Sequence, residues 1–409
     1  MTILMISHYA GAPQYGMEFR SYYMAREWVA MGHRVVIVGS AFSHLRKVQP
    51  AAGHETIDGI EYLWLPSRRY KGNGAGRVLS MFQFIMGVYR NIKPLTSLHP
   101  DMVIASSVYT FDIYPCHRIA RKCHARLVYE VHDLWPLSPM VIGHYSRWHP
   151  FIWLLQRGEN YAYRHCSMVV SILDKAYPHM KRHGLAPNRF CCIPNGYRSD
   201  EWATSEAIGL PTEHTRLLDS LKAQGCTIVG FAGGHTYSTA MQVLLLAASR
   251  LRTRQDLAFV LVGQGPQKAE LITLAKELQL TNFHFLPPVE KQAIPALLAL
   301  FDICYAGGVH SILHQYGTSF NKITDYMVAG KPIVNSVDEP HSLIERVGCG
   351  LQVEAENPDQ VAQAIAQLAD MPAEARAAMG ALGHTYATQN LEYRTLAQRF
   401  IDAVSKQTP

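Results

Sequence analysis

The chain has 409 residues, 48% of them hydrophobic and 17% charged. That is too long for one hydrophobic core, long enough for two, and too apolar and unrepetitive for a disordered or low-complexity protein. The net charge of +6 is uneven, with about 23 basic and about 12 acidic side chains in residues 1–200 and a net acidic remainder, so the first half either meets something anionic or keeps a basic surface.

The opening run Thr2, Ile3, Leu4, Met5, Ile6 lacks the basic lead and cleavage site of a secretory signal, and a cytoplasmic location is expected. It reads as the first of a strand series: Ile3 to Ser7, Val35 to Val38, Met102 to Ala105, Leu127 to Val131 and Met168 to Ile172. These are short apolar runs separated by helical stretches, the rhythm of a parallel sheet with crossover helices. Between the first two strands a helix is expected from about Glu18 to Met31, with Tyr22, Ala25, Trp28 and Val29 on its apolar face and Gly32 as its stop. The longest apolar segment, Val78 to Tyr89 between Arg77 and Arg90, falls short of the ~20 residues that cross a bilayer. The eight cysteines show no Cys-x-x-Cys spacing, which argues against a zinc site or disulfide framework, and no Asp-x-Asp cluster suggests a metal.

After a polar interval at Tyr197 to Gln224 a second series begins: Thr227 to Ala232, Phe259 to Val262, Phe283 to Leu286, Ile303 to Ala306 and Ile333 to Asn335. The class is therefore α/β, with two doubly wound domains spanning 1–200 and 201–385 and a helical tail at 386–409 that packs back on the first domain. Helical composition runs from Gly383 to Val404. Open α/β sheets bind ligands at the carboxyl ends of their strands.

The most informative segment is Ser319-Phe-Asn-Lys-Ile-Thr-Asp-Tyr-Met-Val-Ala-Gly-Lys-Pro-Ile-Val334. It reads as a helix from Asn321 to Val328 ended near Gly330, then a strand. A helix N-terminus presents unpaired N–H groups and roughly +0.5 of a charge, which suits a diphosphate. Gly317, Thr318 and Ser319 would let phosphate oxygens approach, Lys322 would add a point charge, and Asp325 one turn on would accept ribose hydroxyls. The plainer reading is an Asn321 cap on an ordinary helix with a solvated Lys and Asp.

This segment resembles the donor-binding helix of family 4 retaining glycosyltransferases, in the subgroup that builds bacterial surface polysaccharides such as O-antigen and capsule. The resemblance extends to Gly32-His33 before Val35, Gly16 in the first loop, Pro194-Asn195-Gly196, Phe259 to Pro266 with Gly263 and Gly265, and Glu130-Val-His-Asp-Leu-Trp-Pro136. It implies a GT-B fold, two Rossmann-like domains facing a central cleft, and metal-independent transfer from a nucleotide-sugar donor, expected to be UDP- or GDP-linked, with no further cofactor. The acceptor would be a glycan or a polyprenyl-diphosphate-linked one. It assigns His132 to the donor sugar, Asp133 to the same catalytic corner or to capping the following turn, and Gly16, Gly234, Gly263, Gly265, Thr318, Ser319, Asn321 and Asp325 to the donor. For retention it implies front-face attack, with the departing phosphate taking the acceptor's proton.

Two departures stand out. The family carries two glutamates eight positions apart; here Gly317 and Asp325 stand there, so the ribose contact transfers and the sugar contact does not. The loop after Gly230 reads Ala232-Gly-Gly-His-Thr-Tyr237, without the usual Arg and Lys, which leaves Lys322 to supply the phosphate charge. Arg68, Arg69 and Lys71 precede the apolar stretch from Val78; they read either as a mobile loop leading to a buried helix or, by resemblance, as a peripheral contact with an anionic inner membrane on the acceptor side. Among rivals, a nicotinamide-dependent dehydrogenase lacks its Gly-x-Gly-x-x-Gly after the first strand, and a nucleic-acid binder lacks any recognisable module. A catalytically inactive nucleotide-sugar-binding subunit is the remaining alternative, because of Gly317.

Overall fold

Both strand series close into sheets in a computed structural model of the chain, which describes residues 1–16, 19–72, 74–203 and 209–406. The chain divides into two units, one made of residues 1–195 with the segment from Tyr393 onward, the other of residues 196–392. The boundaries read from the sequence were 200/201 and 385/386.

The first unit holds strands β1 (Thr2–Ile6), β2 (Arg34–Ser40), β3 (Gly53–Ile57), β4 (Ile60–Leu65), β5 (Met102–Ala105), β6 (Arg126–Val131), β7 (Met168–Ser171) and β8 (Phe190–Cys192). They lie in the order β3-β4-β2-β1-β5-β6-β7-β8. Every neighbouring pair is parallel except β3 with β4. Ile3, Leu4, Met5 and Ile6 are fully buried, as befits a central parallel strand covered on both faces. The β3–β4 hairpin is absent from the sequence reading, although Asp58 and Gly59 at its turn both take positive φ and form the Asp-Gly signature of a tight hairpin. Most of β3 faces solvent, so it lacks the apolar run by which the other strands were recognised.

A helix follows β1 over Phe19–Ala30; Glu18, its expected start, lies outside the described residues, as does Asn73 in the basic turn. The helical tail is two helices, Ala373–Asn390 in the second unit and Tyr393–Ser405 in the first, rather than one stretch from Gly383 to Val404. The break falls at Leu391, buried and bound through its carbonyl to the Tyr197 amide at 3.0 Å. The last helix docks on Phe19–Ala30, where the Trp28 indole donates to the Ala397 carbonyl at 3.2 Å and meets the Phe400 ring edge-on at 5.1 Å.

The second unit holds β9 (Thr227–Ala232), β10 (Leu257–Val262), β11 (Phe283–Leu286), β12 (Ile303–Gly307), β13 (Ile333–Ser336) and β14 (Gly350–Val353), all parallel, in the order β11-β10-β9-β12-β13-β14. This is the doubly wound dinucleotide-fold order, with its reversal between β9 and β12. In the first unit the corresponding reversal falls between β1 and β5. In such sheets the carboxyl ends of the strands flanking the reversal form the crevice for ligands.

Candidate functional site

In the second unit the helix Asn321–Val328 begins with Phe320 in extended backbone and has no side-chain cap. Asn321 is therefore the first helical residue, not the cap, and the helix end keeps its positive partial charge available to a ligand. Tyr326 anchors the helix beside β9, its buried hydroxyl accepting the Ala232 amide at 3.2 Å. The Lys322 side chain then reaches the carboxyl end of β9, its ammonium 4.8 Å from the Phe231 ring centroid and 5.8 Å from that of Phe320. No carboxylate of the described residues pairs with it. Burial lowers its pKa to about 8.

One turn along, burial raises Asp325 to about 7; the Lys291 ammonium opposes the shift and Glu201 adds to it. Thr318, in the loop leading to the helix, donates its hydroxyl to Glu339 just beyond β13, a carboxylate only 6% exposed. The sequence reading missed Glu339; its one signal is an acidic residue in the loop after a strand, where α/β sheets place ligand groups.

The loops after β9 and β10 interlock. A Cβ at Gly263 would lie 1.9 Å from the Gly233 carbonyl oxygen, and one at Gly265 would lie 2.2 Å from that of His235. Gly263 also takes φ +150°. These glycines thus have a packing reason of their own, whereas Gly234 has nothing closer than 3.5 Å to its Cβ position and offers an open approach. The Lys268 ammonium staples the junction, donating to the Gly263 and Leu286 carbonyls at 2.8 and 2.9 Å. His235 is fully buried between Phe231 and Phe285 with neither ring nitrogen bonded; burial and then Lys268 lower its pKa to about 4, keeping it neutral.

In the first unit, His132 follows β6, next to β5. Its Nε2 lies 3.1 Å from the Ser106 hydroxyl and 3.5 Å from Glu130 Oε2, while the Ser106 hydroxyl donates to that same oxygen at 2.6 Å. With its proton committed to Glu130, Ser106 accepts from His132 Nε2–H, and that tautomer leaves Nδ1 as an acceptor. Arg20 completes the network, donating to Glu130 Oε1 at 3.0 Å and to the Ile193 and Pro194 carbonyls at 2.8 and 2.6 Å. Burial pushes the Glu130 carboxyl up, but Arg20, His132 and Ser106 together outweigh it and hold the acid well below its usual range. Arg20, Ser106 and Glu130 were not singled out from the sequence. Asp133 is exposed and only its carbonyl makes a turn bond, to the Trp135 amide at 3.1 Å.

Also in the first unit, Gly16 takes φ +72° beside the Lys47 side chain, and Arg68, Arg69 and Lys71 are exposed. The helix that follows, Ala75–Arg90, buries Ser80, Met81, Phe84, Ile85 and Val88 and exposes Leu79, Phe82 and Met86, so it is half-buried, between the two readings of that segment. All eight cysteines are free thiols. Glu159, His179 and His183 come close enough to ligate a metal, but they are tied by hydrogen bonds among themselves and to Gln156 and Tyr163.

Two family models match the chain: a glycosyl transferase 4-like domain over residues 15–196 and a glycosyl transferases group 1 domain over residues 226–371. Between them they cover most of the sequence, one in each unit, and the chain belongs to the family 4 glycosyltransferases of GT-B type. Among curated proteins it is 26% identical over 185 residues to WcaI of Escherichia coli K12, provisionally assigned as a colanic acid biosynthesis glycosyl transferase, covering 43% of this chain and 42% of WcaI. It is 23% identical over 188 residues to the 2-deoxystreptamine glucosyltransferase of Streptomyces kanamyceticus, covering 45% and 46%. In both cases the match spans less than half of the relative's length. Solved structures share the fold over almost the whole chain. HepE of Anabaena, crystallised with UDP and glucose, matches with TM-score 0.67 at 17% identity, covering 99% of each chain. The trehalose-6-phosphate protein of E. coli, bound with UDP-2-fluoro glucose, matches with TM-score 0.73 at 13% identity, covering 100% of each.

Proposed function

We propose that this chain transfers a sugar, with retention of configuration and without a metal, from a UDP- or GDP-sugar to a glycan or polyprenyl-diphosphate-linked acceptor in surface polysaccharide assembly, working in the cytoplasm. The observation that carries the reading is Lys322, an ammonium with no carboxylate partner among the described residues, beside an uncapped helix N-terminus at the carboxyl end of β9. That is an anion site built in advance and not yet neutralised. A nucleotide diphosphate supplies the anion, and its departure is stabilised by the same dipole and ammonium.

In this reading Thr318, Ser319 and the Asn321 end of the helix cradle the diphosphate. Gly234 lets it approach, and Asp325 accepts the ribose hydroxyls. Glu339, held by Thr318, takes the hexose hydroxyls in place of the acid missing at Gly317. His132, its Nε2–H committed to Ser106, presents Nδ1 to the donor sugar, and Asp133 shares that corner. The departing phosphate receives the acceptor's proton, so no side chain is needed as base. Arg68, Arg69 and Lys71 lie on the acceptor side. Support comes from the family membership and from UDP-sugar complexes among proteins of the same fold.

The test is a thermal-shift panel of UDP- and GDP-sugars followed by an assay for donor hydrolysis and transfer. One donor should raise the melting temperature by mass action and be consumed. Absence of any shift across the panel sinks the reading; a shift without turnover makes the chain an inactive sugar-nucleotide binder.

A further inference from the structure

A second group of titratable side chains lies in the first unit, among residues that have no part in the donor or acceptor reading. The helix Pro150–His165 precedes β7 and the helix Tyr177–Arg182 follows it. Glu159 on the first and His179 on the second are joined, with His179 Nε2 3.0 Å from Glu159 Oε1. His183 stands one turn beyond His179, its Nδ1 3.2 Å from Asn160 Oδ1. Histidines four positions apart share a helix face, and His183 keeps that register because its amide still bonds the His179 carbonyl at 3.3 Å. One ligand atom from each of Glu159, His179 and His183 lies within 4.8 Å of the other two.

Two features of this group call for a cation. The Glu159 carboxyl is 1% exposed, and among the described residues no lysine or arginine pairs with it. A buried carboxylate without a fixed counter-charge is costly. The hydrogen bonds also fail to balance. The Gln156 amide nitrogen faces three atoms, Glu159 Oε2 at 2.6 Å, Asn160 Oδ1 at 2.8 Å and His183 Nδ1 at 3.0 Å, with two hydrogens to give. A bare His183 Nδ1 also faces the bare Asn160 oxygen; a protonated one donates to Asn160 but opposes the Gln156 donor. Turning the amide over would set its oxygen 2.6 Å from the Glu159 carboxylate. Acceptor atoms therefore converge where hydrogens run short, and a metal ion satisfies all of them at once.

We propose that Glu159, His179 and His183 hold a zinc ion that clasps the two helices flanking β7, with Asn160 Oδ1 or a water in the fourth position. Two imidazoles and a carboxylate are a zinc donor set, and in a tetrahedron with ligands at ~2.0–2.1 Å neighbouring ligand atoms stand roughly 3.3 Å apart, so shifts of about an ångström close the site. The Gln156 amide and the Tyr163 hydroxyl stay on the carboxylate as outer partners, at 2.6 and 3.0 Å. His183 is half-buried beside two buried ligands and gives the ion its route from solvent. The ion is structural, and the transfer chemistry proposed above remains free of metal. Nothing in this inference rests on that chemistry.

The test is isothermal titration of the EDTA-treated full chain with zinc chloride, with magnesium chloride as the control, followed by X-ray absorption at the zinc edge. One equivalent of zinc and no magnesium should bind, and zinc should raise the melting temperature. The absorption spectrum should show two imidazoles in a nitrogen and oxygen shell at ~2.0–2.1 Å. His183→Gln and Glu159→Gln should each weaken zinc binding by more than the ~10–100-fold that an outer partner is worth, and zinc-free His183→Gln should keep wild-type circular dichroism. The inference is overturned by no zinc binding, by variants that bind zinc like wild type, or by sulfur at ~2.3 Å, which would put the ion on the free thiols. The spectrum is read on the wild-type chain and decides the matter even where a variant misfolds. A protein that binds zinc at this site yet ignores every sugar nucleotide would sink the transfer reading alone.

Discussion

The two switch-point sites are built on opposite electrostatic plans. In the first unit the groups bonded around His132 answer one another: Arg20 pairs with Glu130, Glu130 accepts the Ser106 proton, and Ser106 accepts from the imidazole. In the second, the side chains of Lys322 and Asp325 make no hydrogen bond or ion pair among the described residues and sit in a partly desolvated corner, one pulled down to about 8 and the other up to about 7. A satisfied network holds a group in one orientation at a cost settled on folding, whereas unanswered charges keep their interaction energy for a ligand. In the proposed function the first plan suits an orienting site and the second a binding site.

That contrast can be broken by mutation, and the largest effect belongs to the orienting site. Arg20→Ala strands Glu130 as a buried, uncompensated carboxylate and should cost about 3–5 kcal/mol of stability, measured by chemical denaturation; a loss below 1 kcal/mol would show that the pair is not buried in solution. Lys322→Ala should do the reverse, slowing transfer by about a hundredfold or more while the unfolding midpoint holds or rises. His132→Ala should slow transfer by about tenfold to a hundredfold with the fold intact, since its side chain is partly exposed.

Smaller effects sharpen the picture of the interlocked loops. Gly263→Ala meets the Gly233 carbonyl and should cost about 1–3 kcal/mol, whereas Gly234→Ala should stay within about 0.5 kcal/mol and act on donor affinity alone. Equal losses in both would remove the distinction between packing and ligand-facing glycines.

The pH dependence of donor affinity is the finest test. In the proposed function, Asp325 takes up a proton below about 7 and no longer accepts the ribose hydroxyls, and Lys322 loses its charge above about 8. Affinity for UDP or GDP should therefore peak between the two and fall on both sides, and Asp325→Asn should flatten only the acid limb. Because the acid is raised on folding, the native state holds an extra proton between the unfolded and folded pKa values, and stability falls as pH rises through that window. Asp325→Asn should accordingly stabilise the fold most above pH 7, with the gain shrinking toward pH 4.

Much of this was legible in the sequence, for a physical reason. Strands buried on both faces must be continuous apolar runs, so Ile3 to Ser7 or Phe259 to Val262 announce themselves. The edge hairpin at Gly53–Leu65 does not, because a strand half in water needs no such run. The helix Asn321–Val328 was readable from its stop at Gly330 and its charged positions. The side-chain pairs around the two sites were not: in the first unit Arg20 finds Glu130 110 positions away, and in the second Thr318 finds Glu339 21 positions away, across a strand.

Local residue order by itself determined that this protein would form two doubly wound sheets and that Lys322 and Asp325 would share one short helix, because burial and helical periodicity act between near neighbours. Only the tertiary structure decided which polar groups met. Strand order brought Ser106 beside Glu130 and His132 and set Gly263 against Gly233. Such pairings depend on where parallel strands end beside one another, and nothing within a single segment encodes that.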